Sequence, residues 1–281
     1  MRKPRLWLLG AMLCMTAAAQ AQMTEPLWEA GVGAGMMALP DYRGSDQGKT
    51  YVFPIPYFVY NGERFRVDRG GIHGDIAQEG NVWLDVSMNL GPPADSENNA
   101  ARVGMPDLDS TIEVGPSLRI LLTASERGDR TLTLYMPARA VIATDFSHTK
   151  YIGWVFAPHL TYDHRNLYTS GWNVSVSLGP IYATEKYHDY YYEVPAQFAS
   201  ATRPAYDADG GYSGARSTLT VSKRFADWWV GGFLRYDRLD NATFLDSPLV
   251  RKDSSFMAGF GVAWIFARSA ERVPVRKLPG G

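Results

Sequence analysis

The sequence predicts an all-β fold, an antiparallel transmembrane β-barrel of about twelve strands with both termini in the periplasm. Three observations predict it. Apolar residues alternate with polar or small ones in runs of about 9 to 13 residues, which is long for a globular sheet. Aromatic residues mark both ends of the apolar face, and the segments between the runs alternate between long and short. The run length suits a tilted strand, which crosses a bilayer in roughly 9–11 residues.

A secretory leader precedes the barrel segment. Basic residues among the first five positions come before an apolar stretch over residues 6–15, and Ala19-Gln20-Ala21 is a small-x-small cleavage site. This order predicts a signal peptide over residues 1–21. Its removal leaves 260 residues with 25 Lys and Arg against 29 Asp and Glu. The single cysteine, Cys14, is removed with it, so the mature chain contains no thiol.

The strand positions follow from the alternation, because successive side chains of a strand point to opposite faces. Residues 82–90 and 172–182 show the pattern clearly. The predicted strands cover residues 27–38, 51–60, 63–68, 71–78, 80–90, 109–123, 130–143, 150–162, 170–182, 214–225, 228–238 and 253–266. If the short pair 63–68 and 71–78 is not inserted, the barrel has ten strands instead.

Aromatic placement separates a lipid-facing barrel from a soluble β-sandwich, which would show the same alternation. Trp172 and Tyr182 stand at opposite ends of one apolar face, and Phe256 stands opposite Trp264 and Phe266 on another. Outer-membrane barrels carry such aromatic girdles at both interfaces. The 8 Trp and 16 Tyr outnumber the 12 Phe, as expected for rings at a boundary between water and lipid.

Loop lengths orient the barrel. Residues 91–109, 183–213 and 239–252 are long connections, and residues 144–149 form a connection of medium length. The connections that alternate with them are short: residues 79–80, 124–129, 163–170 and 226–227. Because outer-membrane barrels have short periplasmic turns, this order predicts periplasmic termini. The chain then consists of one barrel domain over residues 22–266 and a flexible, basic periplasmic tail over residues 267–281.

The composition excludes several classes of protein. Lys and Arg number 28 against 29 Asp and Glu, so no basic excess is available to neutralise nucleic-acid phosphates. One cysteine cannot form an internal disulfide. With 46% apolar residues, the chain is not expected to be disordered.

Three separated motifs resemble one family. PDYRGSD (residues 40–46) is followed by FPIPYFVY (53–60), a Tyr-rich stretch covers residues 189–214, and a closing hairpin with DSPLV covers residues 227–266. In this order they are similar to the MipA/OmpV family. The resemblance implies a location in the outer membrane of a Gram-negative bacterium, in contact with lipid and lipopolysaccharide. It also implies a scaffold that links a murein lytic transglycosylase and a penicillin-binding murein synthase.

Charged residues on the polar face are the lumen candidates. Asp85, Glu113, Arg119 and Arg139 are predicted to point inward. They are interpreted either as a salt-bridge network that fills a narrow barrel, or as a polar pathway that selects solutes by charge. The second interpretation makes the protein a narrow porin-like channel, or a solute-binding or adhesive barrel.

Two further groups are candidates for contacts with a partner. The tyrosine cluster is expected either to present rings to sugars or proteins, as at interface hot spots, or to pack over the barrel mouth. The basic tail is expected to face periplasmic partners. These candidates are Tyr187, Tyr190, Tyr191, Tyr192, Arg272, Arg276 and Lys277.

No catalytic constellation is recognised. The five histidines are dispersed, and His159 and His164 are predicted to point to opposite sides of their strand. Neither a nucleophile elbow nor a phosphate-binding loop is found. The sequence therefore predicts a non-enzymatic protein without a cofactor or a metal site.

Overall fold

The computed structural model describes residues 24–62, 65–68, 71–74, 77–145 and 147–274. The predicted signal peptide over residues 1–21 lies outside the described residues, as do residues 275–281 of the predicted tail.

The described residues form β-strands and one short α-helix, α1 (Glu185–Tyr192). The strands are β1 (Thr24–Pro26), β2 (Trp28–Pro40), β3 (Gly48–Asn61), β4 (Phe65–Asp68), β5 (Gly71–Gly74), β6 (Ala77–Glu79), β7 (Val82–Gly91), β8 (Ser110–Ala124), β9 (Arg130–Thr144), β10 (Thr149–Phe156), β11 (His159–His164), β12 (Trp172–Ala183), β13 (Gly211–Arg224), β14 (Trp228–Arg238), β15 (Ser254–Arg268) and β16 (Arg272–Pro274). No helix among the described residues is long and apolar enough to cross a membrane.

The main sheet is antiparallel and closes on itself. Its strand order runs from β5 through β4, β3, β2 and β15 down to β8, β7 and β6. The two ends of this path, β5 and β6, are consecutive in the chain. Closure matters in lipid, because a closed sheet leaves no backbone edge unpaired.

The predicted count of twelve strands is confirmed for the described residues. β10 and β11 both pair with β9 and β12, so they form one crossing. The break at Ala157-Pro158 contains a proline, which cannot donate to the ladder. If β5 and β6 are likewise counted as one strand across the bilayer, the barrel has twelve strands. The predicted short pair is also present, because β4 and β5 form an antiparallel hairpin.

The outer face of the ring is apolar. On β15, Phe256, Phe260, Trp264 and Phe266 are all exposed, whereas Gly261, Ala263 and Ile265 between them are buried. Large apolar side chains exposed along every second position fit a lipid-facing surface. The aromatic residues at both ends of this strand agree with the predicted girdles.

All the long loops lie at one end of the barrel. Residues 41–47, 92–109, 184–210 and 239–253 connect strands there. Three of these connections are longer than any at the other end, where the turns are short and β1 and β16 lie. The short turns identify the second end as periplasmic. There β1 pairs with β16, and Arg272 donates from Nε to Thr24 Oγ1 at 2.9 Å. β15 continues to Arg268, two residues past the predicted boundary of the barrel.

The largest apolar core lies in the long loops and not between the strands. It contains residues from all four of them: Tyr42, Ala94, Ala101, Met105, Leu108, Tyr192, Val194, Ala208, Leu239, Ala242, Phe244 and Leu249. This packed assembly, here named the cap, covers the outer mouth of the barrel.

Candidate functional site

The cap is held together by buried polar side chains as well as by its apolar core. The Arg102 guanidinium is buried and donates to Ser96 Oγ and to the carbonyl oxygens of Tyr191 and Pro106, each at 3.1 Å. Hydrogen bonds that involve a charged donor are stronger than neutral ones. Arg102 therefore joins the loop of residues 92–109 to α1.

His188 lies at the centre of the cap. It is fully buried, its Nδ1 lies 2.6 Å from the Asp209 carbonyl oxygen, and its Nε2 contacts Ser213 Oγ. Its ring meets Phe244 edge-on at 4.7 Å between centroids. Burial lowers the pKa of His188, so the ring is neutral at pH 7. This histidine is a structural member of the cap.

The four candidate tyrosines of α1 pack over the barrel mouth, the second of the two predicted arrangements. Tyr192 is buried, and its hydroxyl donates to the Arg43 carbonyl oxygen at 3.0 Å. Tyr190 accepts from the Asp109 amide at 2.7 Å. Burial raises the pKa of Tyr187 and of Tyr190 to about 12, so both phenols keep their protons at neutral pH.

The four candidate lumen charges lie on the inner face and form two ion pairs. Arg139 Nε lies 2.8 Å from Glu113 Oε2, and Arg119 Nε lies 3.2 Å from Asp85 Oδ2. The Arg119 guanidinium also lies 4.7 Å from the Trp83 ring centroid. These contacts brace strands β7, β8 and β9 from inside the barrel.

A second charged cluster lines the same space inside the barrel as the Glu113–Arg139 pair. Arg216 Nε lies 2.7 Å from Asp237 Oδ1, and Arg43 Nε lies 3.5 Å from the same oxygen. Arg235 projects from the same face of β14 as Asp237, two residues earlier.

The lumen candidates predicted from the sequence do not include this cluster, although the sequence does indicate one contact within it. Arg216 and Asp237 are direct cross-strand partners in the β13–β14 hairpin. The short turn at residues 225–227 sets that register, and the alternation places both residues on the polar face. Arg43 lies in a long loop, where periodicity carries no signal.

The part of the lumen nearest the periplasm has an apolar wall. Glycines on β2, β14 and β15 face the lumen there and have no side chains. Bulky residues fill part of the space that these glycines leave. A Cβ at Gly261 would lie 2.7 Å from Ile55 Cδ1, and Cβ atoms at Gly231 and Gly259 would meet the rings of Trp229 and Phe233. A cavity of about 590 Å³ remains beside these rings.

The periplasmic end carries the last of the candidate residues. Arg272 is bound to Thr24, whereas Arg276 and Lys277 lie outside the described residues. Arg224 Nη2 lies 2.8 Å from Glu29 Oε1 and pairs two inward side chains near this end. In the part of the chain that the structure describes, no three His, Cys, Asp or Glu side chains form a metal-binding group.

A closed antiparallel barrel with a lipid-facing apolar surface, charged inner face and short periplasmic turns defines an outer-membrane β-barrel protein. The sequence profile described as MltA-interacting protein MipA matches residues 32–266, and the chain belongs to this family. The chain is 26% identical over 263 residues to the outer membrane protein Omp26La of Vibrio anguillarum, covering 86% of this chain and 88% of that protein.

Two solved outer-membrane proteins align with most of the chain. An outer-membrane channel from Pseudomonas putida F1 aligns with a TM-score of 0.46 at 13% identity, covering 88% of this chain and 98% of the channel. OmpT of Vibrio cholerae aligns with a TM-score of 0.39 at 9% identity, covering 87% of this chain and all of that protein.

Proposed function

We propose that this barrel is a non-catalytic scaffold at the outer membrane, which links a murein lytic transglycosylase to a penicillin-binding murein synthase. The observation that carries the proposal is membership of the MipA family, whose description names an interaction with MltA. Murein and its enzymes lie on the periplasmic side of the outer membrane, so the contacts belong to the periplasmic end.

The shape of that end supports the proposal. β1 and β16 pair there, which holds residues 24–26 and 272–274 together beneath the barrel wall. The exposed Arg272 is anchored to Thr24 on this small sheet. This short sheet offers a partner backbone edges, and the basic residues that follow it in the sequence offer positive charge. The outer end, by contrast, is closed by the cap.

Affinity capture tests the proposal. An affinity tag inserted between Ala201 and Thr202, two exposed residues of the cap, leaves the periplasmic end free. The full chain is expected to enrich a murein transglycosylase and a murein synthase from detergent-solubilised envelopes. Deletion of residues 275–281 together with Arg272→Gln should weaken that capture, and Arg238→Gln at the outer end should leave it unchanged. A full chain that enriches neither enzyme contradicts the proposal.

A second candidate function is a narrow channel that selects solutes by charge. The observation that favours it is the inner face, which carries Asp85, Glu113, Arg119 and Arg139. Elsewhere the lumen contains a cavity of about 590 Å³. Single-channel recording in planar bilayers decides between a conducting and a silent barrel. A pore is expected to change its ion preference in Arg139→Gln, and a silent purified barrel rules out a constitutive channel.

A further inference from the structure

A small chamber lies directly beneath the cap. It has a volume of about 130 Å³ and is bounded above by the rings of Tyr187, Tyr191 and Tyr192. Seven charged residues line it: Arg43, Arg139, Arg216, Arg235, Asp41, Glu113 and Asp237. Four cations therefore face three carboxylates.

Each carboxylate of the chamber already has a partner. Glu113 pairs with Arg139, and Asp237 pairs with Arg216 and Arg43. Asp41 accepts from Asn99 Nδ2 at 2.8 Å.

Among the described residues that line the chamber, Arg235 is the one cation that forms no ion pair with these carboxylates. Its Nε atom is buried and has no hydrogen-bond partner in the described part of the chain. Its guanidinium carbon lies 5.9 Å from the centroid of the Phe233 ring. A buried donor without an acceptor is unfavourable, and a charged one is more so. An anion that supplies the acceptor would remove this penalty.

Arg235 also lines the larger lumen cavity of about 590 Å³, so it stands where the two spaces meet. Apart from Arg235, the residues that line the larger cavity are apolar or weakly polar, and they include Phe53, Ile55, Trp229 and Phe233. A solute whose charged head reaches Arg235 would therefore place its remaining atoms against hydrocarbon and aromatic rings.

We propose that the lumen binds a small monocarboxylate with an apolar body. The carboxylate accepts from the Arg235 guanidinium, whose planar fork matches two carboxylate oxygens. The apolar body packs against Phe233, Ile55 and Trp229. A single negative charge is specified because the chamber has one cation in excess, and a dianion would meet Glu113 and Asp237. The site needs neither the scaffold role nor a conducting lumen.

Binding of phenylacetate to the purified full-length barrel, in a non-ionic detergent, tests this proposal. Trp229 lines the cavity, so intrinsic tryptophan fluorescence reports occupancy, and a Trp229→Phe variant identifies its share of the signal. Phenylacetamide is the matched neutral probe, since it has the same ring without the charge. We expect phenylacetate to bind at least about tenfold more tightly than the amide.

Variants locate the site. Arg235→Gln is expected to weaken phenylacetate binding to the level of the amide. Arg238→Gln, three residues along β14 on the exposed outer face, is the matched control and should bind as the unaltered protein does. Capture of murein enzymes should be the same in both variants, which separates this site from the scaffold role.

Three results would overturn the proposal: equal binding of acid and amide, undiminished phenylacetate binding by Arg235→Gln, or no phenylacetate binding up to about 10 mM. Electrophoresis of an unheated sample shows whether a variant is folded, because the folded barrel runs as a compact band. If Arg235→Gln does not fold, the comparison of acid and amide on the unaltered protein still decides.

Discussion

Tyr192 and Phe244 stack with their ring centroids 3.7 Å apart and their planes 4° from parallel. Tyr192 ends α1, and Phe244 belongs to the loop of residues 239–253, so the contact joins loops from two different hairpins. Tyr192 is 2% exposed and Phe244 is 0% exposed. The cap therefore has a core of its own, and its loops are expected to open together.

Phe244→Ala is expected to loosen the cap while the barrel stays intact. Loss of a fully buried phenylalanine costs about 3–5 kcal/mol. External protease on intact cells should then cleave the loops 184–210 and 239–253 much faster, with the compact barrel band retained. Tyr168→Ala is the control, because Tyr168 is 86% exposed in a turn at the opposite end. Unchanged protease resistance of Phe244→Ala would contradict a cooperative cap.

Glu113→Gln is expected to destabilise the barrel strongly, although glutamine has nearly the same shape as glutamate. It leaves the buried Arg139 guanidinium without its counter-charge, which costs about 3–5 kcal/mol. Replacement of both partners, as Glu113→Leu with Arg139→Met, should recover most of this loss. Urea unfolding in lipid vesicles measures all three free energies.

The exposed pair Arg268 and Asp227 supplies the control for this experiment. Exposed ion pairs contribute about 0–1 kcal/mol, so Asp227→Asn should have little effect. A Glu113→Leu/Arg139→Met double variant that is no more stable than Glu113→Gln would refute the prediction.

Protection of the cap is expected to depend on pH through Asp189. Burial, together with the nearby carboxylates of Glu193, Asp207 and Glu185, raises the pKa of Asp189 to about 6. A carboxyl pKa that is raised by folding favours the native state at low pH, and this stability is lost as pH rises through about 6. His188 acts in the opposite direction, because its lowered pKa means that acid must charge a buried ring.

Comparison with Asp189→Asn isolates the effect of the carboxylate, since His188 is the same in both proteins. The variant should resist protease better than the unaltered protein at pH 7.5, and the two should converge near pH 4. A constant ratio of cleavage rates across this range would exclude a role for Asp189.

Phe260→Arg tests the lipid-facing surface. Phe260 lies midway along β15, between Phe256 and Trp264 on the same face, and is 55% exposed. An arginine facing lipid near the bilayer midplane costs about 2–4 kcal/mol. We therefore expect lower folding stability in vesicles for Phe260→Arg and almost no change for Phe260→Leu. Equal stability of the two variants would mean that this face does not contact lipid.

The positions of the strands and the faces of their side chains could be predicted from the sequence alone, and the loop lengths predicted an orientation in the membrane. Alternation is a local property, because each side chain's face depends only on its position along its own strand. The thickness of the bilayer sets a common strand length, so the long alternating runs could be recognised as strands that cross a membrane. Even the pairing of Arg216 with Asp237 was implicit, since a short turn fixes the register of its hairpin.

The segments that cover the barrel, and the charge that remains unpaired inside it, became visible only in the folded structure. The path of a long loop has no period, so the sequence left both arrangements of Tyr187 to Tyr192 open. Arg43 reaches Asp237 from a loop, 194 positions away in the chain. Because of that contact, Arg235 is the excess cation. Which charges pair inside a closed lumen depends on strands and loops from all around the barrel, and not only on neighbours in the sequence.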